Sequence, residues 1–100
     1  MPLFAVIRRQ GAAWLPDRGL EDQPQWREHA DFMNRLAAAG SVVLGGPLEG
    51  TPDVLLVMRA GSAEFINRLL DDDPWSRLEL LRVQSITLWT LRLGALPGAP

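Results

Sequence analysis

The sequence contains no cysteine, no lysine and a single histidine, His29. The lack of cysteine excludes disulfide bonds, thiol catalysis and thiolate metal sites, and it is typical of a protein in a reducing compartment. A single histidine also excludes a multi-histidine metal site within one subunit. We therefore expect no metal site and no cofactor.

An excess of positive charge and long apolar runs are missing as well. Ten basic residues, all arginine, stand against twelve acidic ones, and the net charge of -2 disfavours binding to nucleic acid. No apolar run approaches the roughly 20 residues of a membrane span, and the first residues lack the basic-then-apolar order of a signal peptide. We expect a cytoplasmic protein that binds neither nucleic acid nor a membrane.

The composition is that of a globular domain. Apolar residues make up 47% of the 100 positions and charged residues 22%. A chain of this length can bury roughly two-thirds of its unfolded surface. We expect one domain over residues 1–94, followed by a flexible tail over residues 95–100.

Hydrophobic periodicity and turn residues predict four strands and two helices. The predicted elements are a strand over Leu3–Arg9, a loop over Gln10–Gln23, a helix over Trp26–Gly40, strands over Ser41–Leu44 and Val54–Met58, a helix that begins at Ser62 and ends at Asp73, and a strand over Arg82–Leu93. This βαββαβ order is that of the ferredoxin-like fold. The expected fold class is therefore α+β, with a four-stranded antiparallel sheet and two helices on one face.

The last predicted strand has large apolar residues on both of its faces. One face carries Leu81, Val83, Trp89, Leu91 and Leu93, and the other carries Ile86 and Leu88. A sheet with one face in water shows a cleaner alternation of apolar and polar residues. Because an exposed apolar face is typical of an interface, the sequence predicts a homodimer or larger homo-oligomer formed through the uncovered side of the sheet.

His29 lies within the apolar arc of the first helix, among Trp26, Phe32, Met33 and Leu36. Burying an imidazole without a partner is costly, so the chain has to supply one. The best candidate is Asp73. In the alternative interpretation, His29 is a core or interface histidine with no part in function.

Asp73 is the last of three consecutive aspartates at the end of the second helix. Carboxylates at this position face the negative pole of the helix dipole, and a broken local rule of this kind indicates function. Asp73 followed by Pro74 also fits the cap of a short further helix, so a capping role alone would explain it.

Gly45-Gly46-Pro47 interrupts the second predicted strand. Such glycines make a bulge or bend, or they let a ligand approach the backbone. We take Gly46 and Pro47 as candidate substrate-binding residues, together with Arg8 and Trp75 as candidate walls of a pocket.

Three motifs together resemble the YciI-like (YCII-related) family. They are Trp26-Arg27-Glu28-His29 followed by Phe32, then Gly40 with Gly45-Gly46-Pro47-Leu48, and finally Asp72-Asp73-Pro74-Trp75. Their order and separations match over nearly the whole chain. The resemblance implies a ferredoxin-like domain in a dimeric α/β-barrel assembly, with a histidine/aspartate site in a cleft that maps onto His29 and Asp73. Where the family commonly has Phe or Tyr after Asp-Pro, this chain has Trp75, which alters the pocket.

An imidazole and a carboxylate can transfer protons without a metal, thiol or nucleotide. In this hypothesis Asp73 orients His29, and His29 removes a proton next to a carbonyl or returns one to carbon. Elimination, isomerisation or dehydrohalogenation of a small-molecule ligand would fit, and the resemblance points the same way because the family includes a dehydrochlorinating member.

Three other interpretations stay open. The domain could be a non-catalytic small-molecule binding module whose His-Asp pair is structural, or an oligomerisation subunit of a larger enzyme. It could also be a different ferredoxin-like enzyme, similar to muconolactone isomerases or cofactor-free monooxygenases.

Overall fold

A computed structural model describes residues 1–96 of the chain. Its elements are β1 (Leu3–Gln10), α1 (Trp26–Ala38), β2 (Val42–Pro47), β3 (Asp53–Arg59), α2 (Ala63–Asp71), α3 (Pro74–Arg77) and β4 (Leu81–Trp89), with a short 3-10 turn at Leu20–Asp22. Residues 97–100, which belong to the tail predicted at residues 95–100, lie outside the described residues. Apart from the short α3, the order is the predicted βαββαβ.

The four strands form one antiparallel sheet in the order β2-β3-β1-β4. The central strand β1 pairs with β3 on one side and with β4 on the other, and Val6 lies opposite both Leu56 and Ile86. The first and last strands of the chain are therefore neighbours. This arrangement confirms the predicted ferredoxin-like α+β fold.

The core lies between the sheet and the two long helices. Along β1 the side chains of Phe4, Val6 and Arg8 are buried, while those between them are half-buried, because alternate residues of a strand point to opposite faces. The buried cluster consists of Phe4, Val6, Phe32, Leu36, Leu56, Met58, Ala60, Ile66 and Leu70. Both α1 and α2 thus cover the same face of the sheet, and Arg8 continues the buried row of β1 with a charged side chain.

Local signals fix the ends of both long helices. Ser62 accepts a hydrogen bond from the Phe65 amide at 3.1 Å and caps the N-terminus of α2. At the end of α1, Gly40 has a φ of 83° and the Ser41 amide donates to the Leu36 carbonyl, which is a Schellman motif. This left-handed residue turns the chain from α1 into β2.

Two predicted strand boundaries are wrong. The break expected at Gly45-Gly46-Pro47 does not occur, because β2 continues to Pro47 and its pairing irregularity lies earlier, between Val42 and Leu44. As β2 is an edge strand, it tolerates a proline. β4 ends at Trp89 instead of Leu93, because Trp89 lies opposite Leu3 and β1 has no further residue to pair with.

The side of the sheet that faces away from the helices is called the outer face here. It carries Leu3, Ala5, Ile7, Leu44, Leu55, Val57 and Trp89. Val57 is buried by its neighbours at the centre, whereas Leu44 and Trp89 at the margins are 48% and 40% exposed.

No helix within residues 1–96 is long and apolar enough to cross a membrane.

Candidate active site

His29 of α1 is in direct contact with Asp73, as its position in the apolar arc predicts. Its Nδ1 atom lies 2.8 Å from Asp73 Oδ2 and 3.0 Å from Oδ1, and both side chains are buried. Because a carboxylate only accepts hydrogen bonds, Nδ1 carries a proton, and in the neutral ring Nε2 keeps its lone pair. The ring nitrogen left available to a bound molecule is therefore Nε2.

Asp73 is held in place by the start of α3. Its Oδ1 accepts a hydrogen bond from the Trp75 amide at 3.0 Å, so Asp73 caps the helix whose first residue is Pro74. Complete burial acts to raise the pKa of Asp73, but the hydrogen bonds from His29 and the Trp75 amide and the charge of Arg8 outweigh it and hold that pKa below its usual range. Asp73 is thus a carboxylate at neutral pH, and it caps α3 while it contacts His29.

Arg8 of β1 is the third charged group of this cluster. Its Nη1 donates to Asp73 Oδ2 at 2.8 Å and its Nη2 donates to Ser76 Oγ at 2.8 Å, and only 1% of the residue is exposed. The Ser76 hydroxyl in turn donates to the Leu70 carbonyl at 2.7 Å. Asp73 Oδ2 therefore accepts from Arg8 and His29 at once, which places the guanidinium beside the imidazole.

Trp75 fixes the plane of the imidazole. Its ring stacks on His29 with centroids 3.8 Å apart and an angle of 3° between the planes. The indole nitrogen donates to the Pro24 carbonyl at 2.7 Å, and Trp14 and Trp26 pack against the indole at 5.6 and 5.8 Å between centroids. Since Trp75 holds the face of the imidazole and Asp73 holds one edge, the ring is kept in one orientation.

A cavity of about 810 Å³ is bordered by His29. That volume lies within the usual range for small-molecule sites. The lining residues come from β1, the segment 14–20, α1, the β2–β3 hairpin, α3 and the start of β4. They include the four predicted substrate-binding residues, Arg8, Gly46, Pro47 and Trp75. Asp73, fully buried, lies behind this wall and acts on a bound molecule only through its neighbours.

The loop between β1 and α1 forms one wall of the cavity and is held by Gln23. The side chain of Gln23 is 3% exposed; its amide nitrogen donates to the carbonyls of Leu15 and Arg18 at 2.8 and 3.0 Å, and its oxygen accepts from the Leu15 amide at 3.0 Å. These bonds fix the backbone between Trp14, which packs on Trp75, and Arg18, which borders the cavity. The loop therefore forms an ordered wall of the cavity.

Gln23 and Ser76 are two residues of the candidate site that sequence reasoning missed. Both act through hydrogen bonds to groups distant in the fold, and a glutamine in a loop or a serine in a short helix gives no signal of such bonds. Arg8 did give a signal, because it shares the parity of Phe4 and Val6 along β1. Among residues 1–96, no group of three or more histidine, cysteine, aspartate or glutamate side chains is placed to hold a metal ion.

Comparisons with known proteins support the fold. No protein-family model matches the sequence, and no curated protein matches it. Among solved structures, the chain is similar to 5-chloro-2-hydroxyhydroquinone dehydrochlorinase from Burkholderia phenoliruptrix, determined in complex with 2,5-dihydroxybenzoquinone. The TM-score is 0.54 at 20% sequence identity, over 92% of this chain and 95% of that one. The two proteins therefore share a fold.

Proposed function

We propose that the chain is a small-molecule enzyme of the YciI-like family in which His29 transfers a proton to and from carbon. The observation that carries this proposal is the 2.8 Å contact between His29 Nδ1 and the buried Asp73 carboxylate, in a ring that borders the cavity. The shared fold with a dehydrochlorinase adds support. In this mechanism His29 is the catalytic residue and Asp73 is a positioning residue.

In the proposed step, the lone pair of His29 Nε2 takes the proton of a C–H group next to a carbonyl. The electron pair of that C–H bond forms a C=C bond, and the carbonyl pair moves onto oxygen to give an enolate. In a dehydrohalogenation the carbonyl re-forms, a double bond forms to the next carbon, and halide leaves with its bonding pair. In an isomerisation, protonated His29 returns the proton to a different carbon. Such general acid–base steps accelerate reactions by about 10²–10⁴-fold.

A non-catalytic binding or oligomerisation module is the second candidate. The observation in its favour is that Asp73 caps α3 and pairs with Arg8, and both contacts stabilise the fold whether or not a reaction takes place. In such a module His29 would be a packing residue that satisfies the remaining lone pairs of Asp73.

Turnover assays separate the two candidates. In one assay the protein is incubated in D₂O with small cyclic ketones, and deuterium incorporation is read by NMR. In a second assay the substrate is a cyclic ketone with chlorine on the carbon β to the carbonyl, and chloride release is the readout. We expect exchange or chloride release to fall by about 10²–10⁴-fold in His29→Gln, because the base that removes the proton is gone. The matched control is Asp31→Asn, which changes an exposed side chain on α1. Equal rates in His29→Gln and the unaltered protein would contradict the mechanism.

The single histidine allows a direct measurement of the pair. Proton NMR follows the ring of His29 without overlap from other imidazoles. In the unaltered protein we expect the Nδ1 proton to give a downfield signal, because it is hydrogen-bonded to a carboxylate, and we expect that signal to move upfield in Asp73→Asn, where the acceptor is uncharged. An Nδ1 proton signal that is the same in both proteins would show that the two side chains are not in contact.

We also propose that the protein forms a homodimer or larger homo-oligomer through its outer face and acts in the cytoplasm. The apolar residues on the outer face support the assembly, and the lack of cysteine fits a reducing compartment.

A further inference from the structure

The buried charges behind the cavity are paired with each other and closed off from it. Arg8 is 1% exposed and Asp73 0%, and Arg8 Nη1 lies 2.8 Å from Asp73 Oδ2. His29, by contrast, keeps 10% of its side chain exposed. Within residues 1–96 the one buried side-chain nitrogen or oxygen without a hydrogen-bond partner belongs to Arg8, so the unpartnered Nε2 of His29 has accessible surface. A bound molecule therefore meets Nε2 as the polar atom of this cluster.

The other charged residues that border the cavity offer a ligand no unscreened charge. Asp53 of β3 is paired with Arg9, whose Nε lies 2.7 Å from the carboxylate. Arg18 of the loop and Glu49 of the β2–β3 turn are exposed, so solvent screens them, and their charges are opposite. A charged molecule in the cavity would lose hydration without gaining a buried partner of opposite charge. The lining therefore favours an uncharged ligand.

Two half-buried tryptophans give the cavity flat apolar surface close to His29. The ring centroid of Trp26 lies 5.9 Å from that of His29, and Trp14 of the loop packs edge-on against Trp75 at 5.6 Å between centroids. Both border the cavity, and both have accessible surface, whereas Trp75 is fully buried. The indoles of Trp14 and Trp26 are therefore the aromatic surfaces that a bound molecule contacts beside Nε2.

Trp14 is held in place by its neighbours in the chain. The Ala13 amide donates to the Glu79 carbonyl at 3.1 Å, and the Leu15 amide donates to Gln23 Oε1 at 3.0 Å. One bond ties the loop to the segment between α3 and β4, and the other ties it to the approach to α1. A wall that is already ordered binds a ring without the cost of ordering the loop.

Aromatic walls favour flat ligands, because a planar ring stacks on an indole or meets its edge and a puckered saturated ring does not. We propose that the site takes uncharged planar ring compounds, such as conjugated cyclic ketones, and that Trp14 and Trp26 determine this specificity. The hydrogen to be removed is then directed at His29 Nε2. This inference rests on the proposed proton transfer by His29 and names the substrate class of that site.

Four probes that share one size test the inference without a known substrate. Benzamide is planar and uncharged, and cyclohexanecarboxamide carries the same amide on a saturated ring. Benzoate and benzamidinium keep the planar ring and carry a negative and a positive charge. We expect benzamide to bind about 2- to 10-fold more tightly than cyclohexanecarboxamide, the fold-change of one aromatic contact. Both ions should bind at least about 10-fold more weakly than benzamide, because their charges find no partner.

The four tryptophans of the chain report both affinity and location. NMR follows their indole N–H signals during each titration. Benzamide should shift the signals of Trp14 and Trp26 and leave that of Trp89 unchanged, since Trp89 lies on the outer face and does not border the cavity. The dependence of the shifts on benzamide concentration gives the dissociation constant.

Substitutions identify the residues responsible for the preference. We expect the preference for benzamide over cyclohexanecarboxamide to fall towards equality in Trp14→Leu and in Trp26→Leu. It should persist in Trp14→Phe, which keeps an aromatic wall. Trp89→Leu is the matched control and should keep the full preference, because it removes an indole that does not border the cavity.

Two comparisons on the unaltered protein decide the proposal without any variant. Equal affinity for benzamide and cyclohexanecarboxamide, or tighter binding of either ion than of benzamide, would overturn it. A titration with benzamide that gives no saturable shift would do the same. Since these readouts need no turnover, a lack of activity contradicts only the proposed function. Catalysis without a preference for uncharged planar rings contradicts only the roles of Trp14 and Trp26.

Discussion

One carboxylate, that of Asp73, carries three contacts that belong to different parts of the molecule. Oδ1 accepts from the Trp75 amide of its own helix, Oδ2 accepts from Arg8 of β1, and His29 Nδ1 of α1 lies within 3.0 Å of both oxygens. The side chain thereby connects the helix layer to the sheet at the wall of the cavity. A change of its charge should therefore affect stability as well as function.

Asp73→Asn tests the energetic importance of this charge. Asparagine can still cap α3, but it leaves the buried Arg8 cation without a counter-ion, so we expect the free energy of unfolding at pH 7 to fall by about 3–5 kcal/mol. Denaturant unfolding measures the change. The matched control is Asp72→Asn, since Asp72 is 70% exposed in a surface pair with Arg77 and should change stability by less than about 1 kcal/mol.

The stability difference between the unaltered protein and Asp73→Asn should depend on pH. Because the pKa of Asp73 is lower in the folded chain than in the unfolded chain, its contribution is fully present above the unfolded value of about 3.9. It is lost as the pH falls through the folded pKa. Unfolding curves from pH 7 downwards should therefore converge in acid, and a difference that stays constant to the lowest pH would contradict the assignment.

At the residue scale, the sequence predicts the contact between His29 and Asp73. For Arg8 it predicts burial but not the hydrogen-bond partners. His29 interrupts an apolar arc, and Asp73-Pro74 is a recognisable helix start. Arg8 lies on the same face of β1 as Phe4 and Val6, which indicates that it is buried. Which groups accept hydrogen bonds from its guanidinium depends on how α3 packs on β1. No local pattern encodes that packing.

At the scale of elements, the sequence predicts the helix caps at Gly40 and Ser62 but not the ends of β2 and β4. Helix caps are local, so Gly40 and Ser62 identify them from a few neighbouring residues. Strand ends depend on the partner strand: β4 stops at Trp89 because β1 offers no residue beyond Leu3. The apolar pattern of Leu91 and Leu93 could not reveal that limit.

Gly40→Ala tests the turn that leads from α1 into β2. Gly40 has a φ of 83° and open space around an added Cβ, so an alanine there meets backbone strain and no collision. We expect a loss of about 1–2 kcal/mol in the free energy of unfolding. Gly19→Ala is the control, because Gly19 also has open space but a φ of -69°, where alanine is unstrained. Equal effects of the two substitutions would show that the left-handed conformation is not what matters at Gly40.

At the scale of the whole molecule, the cavity is the feature that the sequence predicts least well. The sequence predicts substrate binding by Gly46 and Pro47 from the expected break in the second strand. It predicts Arg8 and Trp75 separately, as walls of a pocket. All four border one space because β2 extends to Pro47 and because the segment before α1 contacts Trp75 through Trp14 and the Pro24 carbonyl. Such an arrangement follows from the relative placement of four elements, which periodicity within each element does not determine.

The outer face determines how copies of the chain should associate. Trp89 lies opposite Leu3 on the outer face, while the adjacent Leu88 lies opposite Phe4 on the helix side. Trp89 is 40% exposed and Leu88 63%, so both accept a charge without disturbing the core.

An arginine in the middle of an apolar interface carries an uncompensated desolvation cost, whereas on a free surface it costs little. We expect a dimer or larger species by light scattering at micromolar concentration for the unaltered protein and for Leu88→Arg, and a shift towards monomer for Trp89→Arg. If the unaltered protein is a monomer, or if Leu88→Arg dissociates it as readily as Trp89→Arg, the outer face is not the interface, and the apolar side chains of Leu44 and Trp89 require another explanation.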